Sequence, residues 1–157
     1  MKKMILQILS ISLLLGVLVF TGRSTVYAEE MTCPTPTPVT IDIKPGSYPN
    51  TIKLSSNGLV PVAVLTTGTF DASLFMPEMA HLNDASAGMA AGCTGAMAVR
   101  WDREDVNRDG RMDLVFFFRA QDLTLTTSST AASLMAHGAY GPTMEHITGT
   151  DSVRVIP

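Results

Sequence analysis

From Val39 onward apolar side chains recur at every second residue, and turn chemistry interrupts the pattern every few positions. Val39, Ile41 and Ile43 alternate with Thr40, Asp42 and Lys44. Successive side chains of an extended chain point to opposite faces, so this alternation predicts a half-buried strand. Pro45-Gly46-Ser47 and Pro49-Asn50 follow, with a preset φ at proline and a tolerated positive φ at glycine. Ile52 and Leu54 alternate with Thr51 and Lys53. Asn57-Gly58 is a strong hairpin cue, expected to turn the chain into a valine-rich strand over Leu59–Leu65. Pro61 cannot donate to a ladder, which predicts an edge or a bulge at that end.

Met79–Leu82, Ala96–Trp101 and Met112–Arg119 are expected strands. In the last of these, Leu114 to Phe118 is apolar on both faces, as in a central strand covered from both sides. Leu123–Thr127, Ala131–Ala136 and Ser152–Ile156 read as further strands. Asp84–Gly95, dominated by Ala, Gly, Ser and Met without a clean period, reads as a long loop. Gly88 and Gly92 have small-xxx-small spacing, but no long apolar span surrounds them, so a membrane-dimer reading fails. Short strands, frequent turns and no amphipathic helix predict an all-β fold, an antiparallel β-sandwich of about eight or nine strands with Greek-key-like connections over residues 39–157.

The N-terminal region has a different composition. Lys2 and Lys3 precede an apolar run from Met4 to Phe20, and Val26-Tyr27-Ala28 places small residues at −3 and −1 before Glu29. This is the layout of a secretory signal peptide, 1–28, cleaved after Ala28. The alternative is an uncleaved anchor, but the run is shorter than the roughly eighteen residues of a spanning helix. Residues 29–38 form a Pro/Thr-rich spacer, in which alternating proline favours extended backbone. Removing the leader leaves 8 basic and 14 acidic residues, a net charge of −6 (8 − 14) on Glu29–Pro157. Such acidity favours cations as partners and excludes nucleic acid. Cys33 and Cys93 are the two cysteines, and export to an oxidising compartment makes their pairing as a disulfide one expectation, two separate thiols the other.

One constellation carries chemistry. Asp105, Asn107, Asp109, Gly110 and Asp113 spell D-x-N-x-D-G-x-x-D. Calcium is a hard cation that takes about six to eight oxygens, and oxygen-bearing side chains at every second residue of a tight loop converge on one centre. Gly110 permits the sharp turn that aims the Arg111 carbonyl at the ion, and Asp113 adds a carboxylate or holds a bound water. The predicted ligand set is Asp105, Asn107, Asp109, Arg111 (through its carbonyl) and Asp113, for one calcium ion, Ca2+. A full EF-hand loop ends in a bidentate Glu at its twelfth position; here that position is Phe116, so no EF-hand is expected. Arg103, Arg108 and Arg111 place positive charge nearby and predict weak affinity, about 0.1–1 mM. The competing reading is an Asp/Asn turn whose side chains bond their own backbone.

These segments resemble an exported bacterial β-sandwich domain family. Ile41 to Asn50 matches its IDIKPGSxPN strand-turn, Pro61-Val62-Ala63-Val64-Leu65 its next strand, and Asp105–Leu114 its acidic loop and following strand. Gly149-Thr150-Asp151-Ser152-Val153-Arg154-Val155 is similar to its closing strand, while residues 85–97 depart from the pattern. The loop itself also resembles the calcium loops of dockerins and integrin α-chains. The resemblance implies export and calcium, and no assigned reaction.

Enzyme readings find little support. His81, His137 and His146 are scattered, without metal-pair spacing, and read as surface or strand histidines. No G-x-S-x-G elbow exists, and Glu78, Glu104 and Glu145 do not reveal a glycosidase pair by sequence. Trp101, the only tryptophan, reads as a rim or core residue or as a sugar platform; the methionines read as gap-fillers. The expected role is non-enzymatic: a secreted or cell-envelope, calcium-stabilised domain with a structural or adhesive role towards a surface protein or glycan. A carbohydrate-binding module is the alternative, and a small extracellular hydrolase the second.

Overall fold

Among the residues that the computed structural model describes, 35–88 and 94–157, ten strands form. They are β1 (Thr37–Pro38), β2 (Ile41–Ile43), β3 (Thr51–Lys53), β4 (Leu59–Val64), β5 (Phe75–Asp84), β6 (Ala96–Glu104), β7 (Asp113–Arg119), β8 (Ala131–Tyr140), β9 (Thr143–Ser152) and β10 (Arg154–Ile156). The expected signal peptide, most of the spacer and both cysteines, hence their disulfide, lie outside the described residues. Eight strands make one sheet in the order β1-β9-β8-β5-β6-β7-β4-β2, and β10 pairs with β3 alone. Pairing is antiparallel except at β1–β9 and β10–β3. The fold is all-β, as the alternation requires.

The long sheet has one weak seam. β5 and β6 share two residue pairs, His81↔Met97 and Leu82↔Ala96, whereas β5 and β8 are paired along their length. The sheet curls so that both sides of this seam feed one core: Val62, Leu114 and Phe116 from one half meet Phe75, Leu134 and Ile147 from the other. Each such fully buried side chain stabilises the fold by about 1.5–3 kcal/mol. The Phe-rich segment is central, as its two apolar faces predict, with β7 between β6 and β4. Leu114, Phe116 and Phe118 enter the core, and the Arg100 guanidinium covers the outward Phe117 ring at 3.5 Å.

The two edges of the sheet are laced together by the chain's own N-terminal segment. Thr37–Pro38, expected as a mere spacer, pairs with Ile147–Thr148, and two residues later Ile41–Ile43 pairs with β4 at the opposite edge. Val39 N–H donates to Thr148 O at 2.8 Å, and Leu65 N–H to Thr40 O at 2.9 Å. Asp151 Oδ2 accepts from Ile43 N–H and from Asn50 Nδ2, both at 2.9 Å. The IDIKPGSxPN segment and the Gly149-Thr150-Asp151 segment therefore meet across the whole chain. Gly149 is required by this contact: a Cβ there would lie 2.5 Å from Ile41 Cγ2 and 2.8 Å from Val39 O.

Several expectations are corrected. Asn57-Gly58 does not close a hairpin, because β3 pairs with β10 and β4 pairs with β2 and β7. Leu123–Thr127 forms no strand; Leu123 and Leu125 bury their side chains, but the nearby backbone is held locally, with Thr126 N–H donating to Ser129 Oγ. Pro61 lies in an interior strand and not at an edge. Its carbonyl accepts from Lys44 N–H at 2.8 Å, one residue past the end of β2, so the side lacking an N–H faces a ladder that has already stopped. The expected closing strand over Ser152–Ile156 is the end of β9 together with β10; the rest of β9, from Thr143, carries His146, Thr148 and Thr150 outward and is interrupted by Gly149.

Candidate metal centre

The acidic segment is the connection between β6 and β7, residues 105–112. Two left-handed positions bend it, Arg108 at φ 62° and Gly110 at φ +85°. The space around Gly110 is open, so glycine serves there for its backbone and not for clearance. The bend turns three oxygen-bearing side chains inward. Asp105 Oδ1 accepts from Asp109 N–H at 3.1 Å and its Oδ2 from Gly110 N–H at 2.9 Å. Asn107 Oδ1 accepts from the same Asp109 N–H at 3.0 Å, and Asn107 Nδ2 donates to Asp109 Oδ2 at 3.3 Å. Asp105, Asn107 and Asp109 are thus gathered on one turn, with hard oxygens suited to a hard cation.

Arg111 works against such an ion. Its backbone N–H donates to Asp109 Oδ1 at 2.9 Å, and its guanidinium pairs with Asp109 Oδ2 at 3.0 Å. These two contacts hold the Asp109 carboxyl below the usual carboxylate range. The guanidinium occupies an oxygen that calcium would need. Arg111→Gln keeps the backbone carbonyl and removes this competitor, and is expected to tighten calcium roughly 2–5-fold, as for loss of an exposed ion pair. Isothermal titration of both proteins checks it, and equal affinities would contradict it.

Asp113 does not join the three side chains gathered on the turn. It is fully buried, with Oδ1 accepting from Thr66 N–H at 2.8 Å and Oδ2 from Val106 N–H at 3.1 Å. Thr66 Oγ1 in turn donates to Met112 O at 2.7 Å. This carboxylate latches the start of β7 to the segment after β4. Among the described residues no three His, Cys, Asp or Glu side chains come together in a group able to hold a metal ion. Of the predicted set, Asp105, Asn107 and Asp109 are the side chains that the turn brings together.

The other singled-out residues are dispersed. Trp101, on β6 opposite Phe116, is 38% exposed at the rim of a cleft of about 380 Å³ where β5 and β6 splay apart. Asp102 lies 3.9 Å from Arg100 on the exposed face of the same strand. Glu104 ends β6, and Glu145 on β9 accepts from Thr143 Oγ1 at 3.2 Å. The histidines, scattered in sequence, are not scattered in space. His137 and His146 face each other with ring centroids 4.5 Å apart, and Glu78 Oε2 lies 3.3 Å from His137 Nδ1. Burial and the neighbouring His137 hold His146 below the ordinary imidazole value. Their positions, 137 and 146, become neighbours only through the β8–β9 register, a signal that no local spacing contains. No protein-family model matches the chain, and neither curated proteins nor solved structures yield a match.

Proposed function

We propose that the Asp105–Asp113 loop is a calcium site and that the chain is an exported, calcium-stabilised β-sandwich domain of the IDIKPGSxPN type. In this reading the two halves of the curled sheet are the two layers of the sandwich. The domain's role is structural or adhesive, outside the cell or at its surface. The observation that carries the reading is the convergence of Asp105, Asn107 and Asp109 oxygens on one left-handed turn. Bound there, calcium neutralises the clustered carboxylates and fixes the approach to β7.

The hydrogen bonds inside the loop favour a second reading, a metal-free turn sustained by its own backbone donors. Melting curves separate the two. With an affinity of about 0.1–1 mM, about 10 mM calcium stabilises the fold by roughly 1.4–2.7 kcal/mol through linkage. The stabilisation is expected to vanish in the Asp105→Ala/Asp109→Ala protein. A melting temperature indifferent to calcium and chelator would leave the metal-free turn in its place. Trp101 on its cleft supports a carbohydrate-binding role instead, read by quenching of its fluorescence with oligosaccharides.

A further inference from the structure

The outer face of β5, β8 and β9 holds chemistry that the acidic loop does not use. The strand registers set Met79 opposite His137, and His137 opposite His146, in one cross-strand row. Residues directly opposite in an antiparallel pair share a face. Ala136 and Ile147, each one position along, are buried in the core, so this row stands on the outside. The adjoining row sets Met97 opposite His81 and His81 opposite Met135. All three histidines of the chain thus occupy two neighbouring rows, interleaved with methionines.

The imidazoles are prepared as ligands. Glu78, the extra residue at the β5 irregularity between Pro77 and Met79, places its carboxylate on His137 Nδ1. A carboxylate on one ring nitrogen fixes the tautomer and the ring orientation, and leaves the lone pair of the other nitrogen for a metal. The His146 ring lies at 43° to that of His137 with the centroids 4.5 Å apart, close enough for the two imidazoles to share one ion. His81, in the next row, has a buried Nδ1 without a hydrogen-bond partner. Thioether sulfur is a soft ligand and imidazole a borderline one, a combination that selects cuprous copper over calcium or magnesium.

We propose that this face binds Cu(I), with His137 Nε2, His146 and Met79 Sδ as ligands and Glu78 as the positioning residue. The site is independent of the calcium loop, and the test is run in calcium-free buffer. Free thiols at Cys33 and Cys93 would compete for the same ion, so both are replaced by serine in every sample. The full chain then competes anaerobically with bicinchoninate for Cu(I). The expected result is transfer of one Cu(I) per chain, with shifts of the His137 and His146 ring protons in NMR spectra of that protein.

His137→Gln or His146→Gln is expected to weaken Cu(I) at least 100-fold. Glu78→Gln is expected to weaken it about 10-fold, as for other partners of a metal-bound histidine. Met79→Leu is expected to weaken Cu(I) about 10-fold and leave Zn(II) unchanged, because only the soft ion uses the thioether. Three results would overturn the proposal: no transfer from bicinchoninate, transfer without movement of either ring, or Zn(II) binding as tight as Cu(I) and both indifferent to Met79→Leu.

Discussion

Replacing Asp113 by alanine is expected to destabilise the domain by about 2–4 kcal/mol, because the buried Thr66 N–H and the part-buried Val106 N–H lose their acceptor at about 1–3 kcal/mol each. Relief of the carboxylate's own burial offsets part of that cost. Urea unfolding measures the loss as a lower midpoint at unchanged slope. The loss is expected to be the same with calcium and with chelator, since both Asp113 oxygens are already engaged by backbone N–H groups. A loss that grows when calcium is added would instead make Asp113 a ligand. Asp113→Asn is expected to fall between the two proteins, because its amide retains one acceptor and turns a second donor against an N–H.

Gly149→Ala is the second substitution with a large expected effect, about 2–3 kcal/mol, the cost of forcing an extra carbon into packed surroundings. The added carbon meets the Val39 carbonyl at 2.8 Å, and backbone cannot rotate aside as a side chain does. Gly68→Ala is the matched control: nothing lies within 4 Å of its added carbon, and its effect is expected to stay within about 0.5 kcal/mol. Equal midpoints for the two variants would show that the lacing segment yields without cost.

The individual strands were legible where one face is consistently apolar. Ile41–Ile43 and Thr51–Lys53 stand where their alternation put them, and β7 where its unbroken apolar run put it. Their partners were not legible, because pairing is decided between segments far apart in the chain. Asn57-Gly58 has the local chemistry of a hairpin, yet Ile52 finds Val155, over a hundred positions later. Leu123 and Leu125 alternate correctly and are buried, but no neighbouring strand is there to make a ladder. The acidic turn was legible since the spacing of its oxygen-bearing residues is local. The role of Asp113 was not, because its partner Thr66 lies 47 residues upstream. The histidine face was hidden for the same reason: three strands contribute to it, and only their register sets the side chains abreast.

The lacing of the first strands to the last has a consequence for the order of events as the polypeptide is made. Ile43 and its acceptor Asp151 are separated by 108 residues. A ribosome adding about 5–20 residues per second leaves the early segment waiting roughly 5–20 s for that acceptor to emerge. Until then Ile41 and Ile43 have no β9 to close against, and the two edges of the sheet stay unlaced. Closure therefore waits for β9, made more than a hundred residues after β2. A product stopped before β9 leaves its sheet edges open, and open edges pair with other chains.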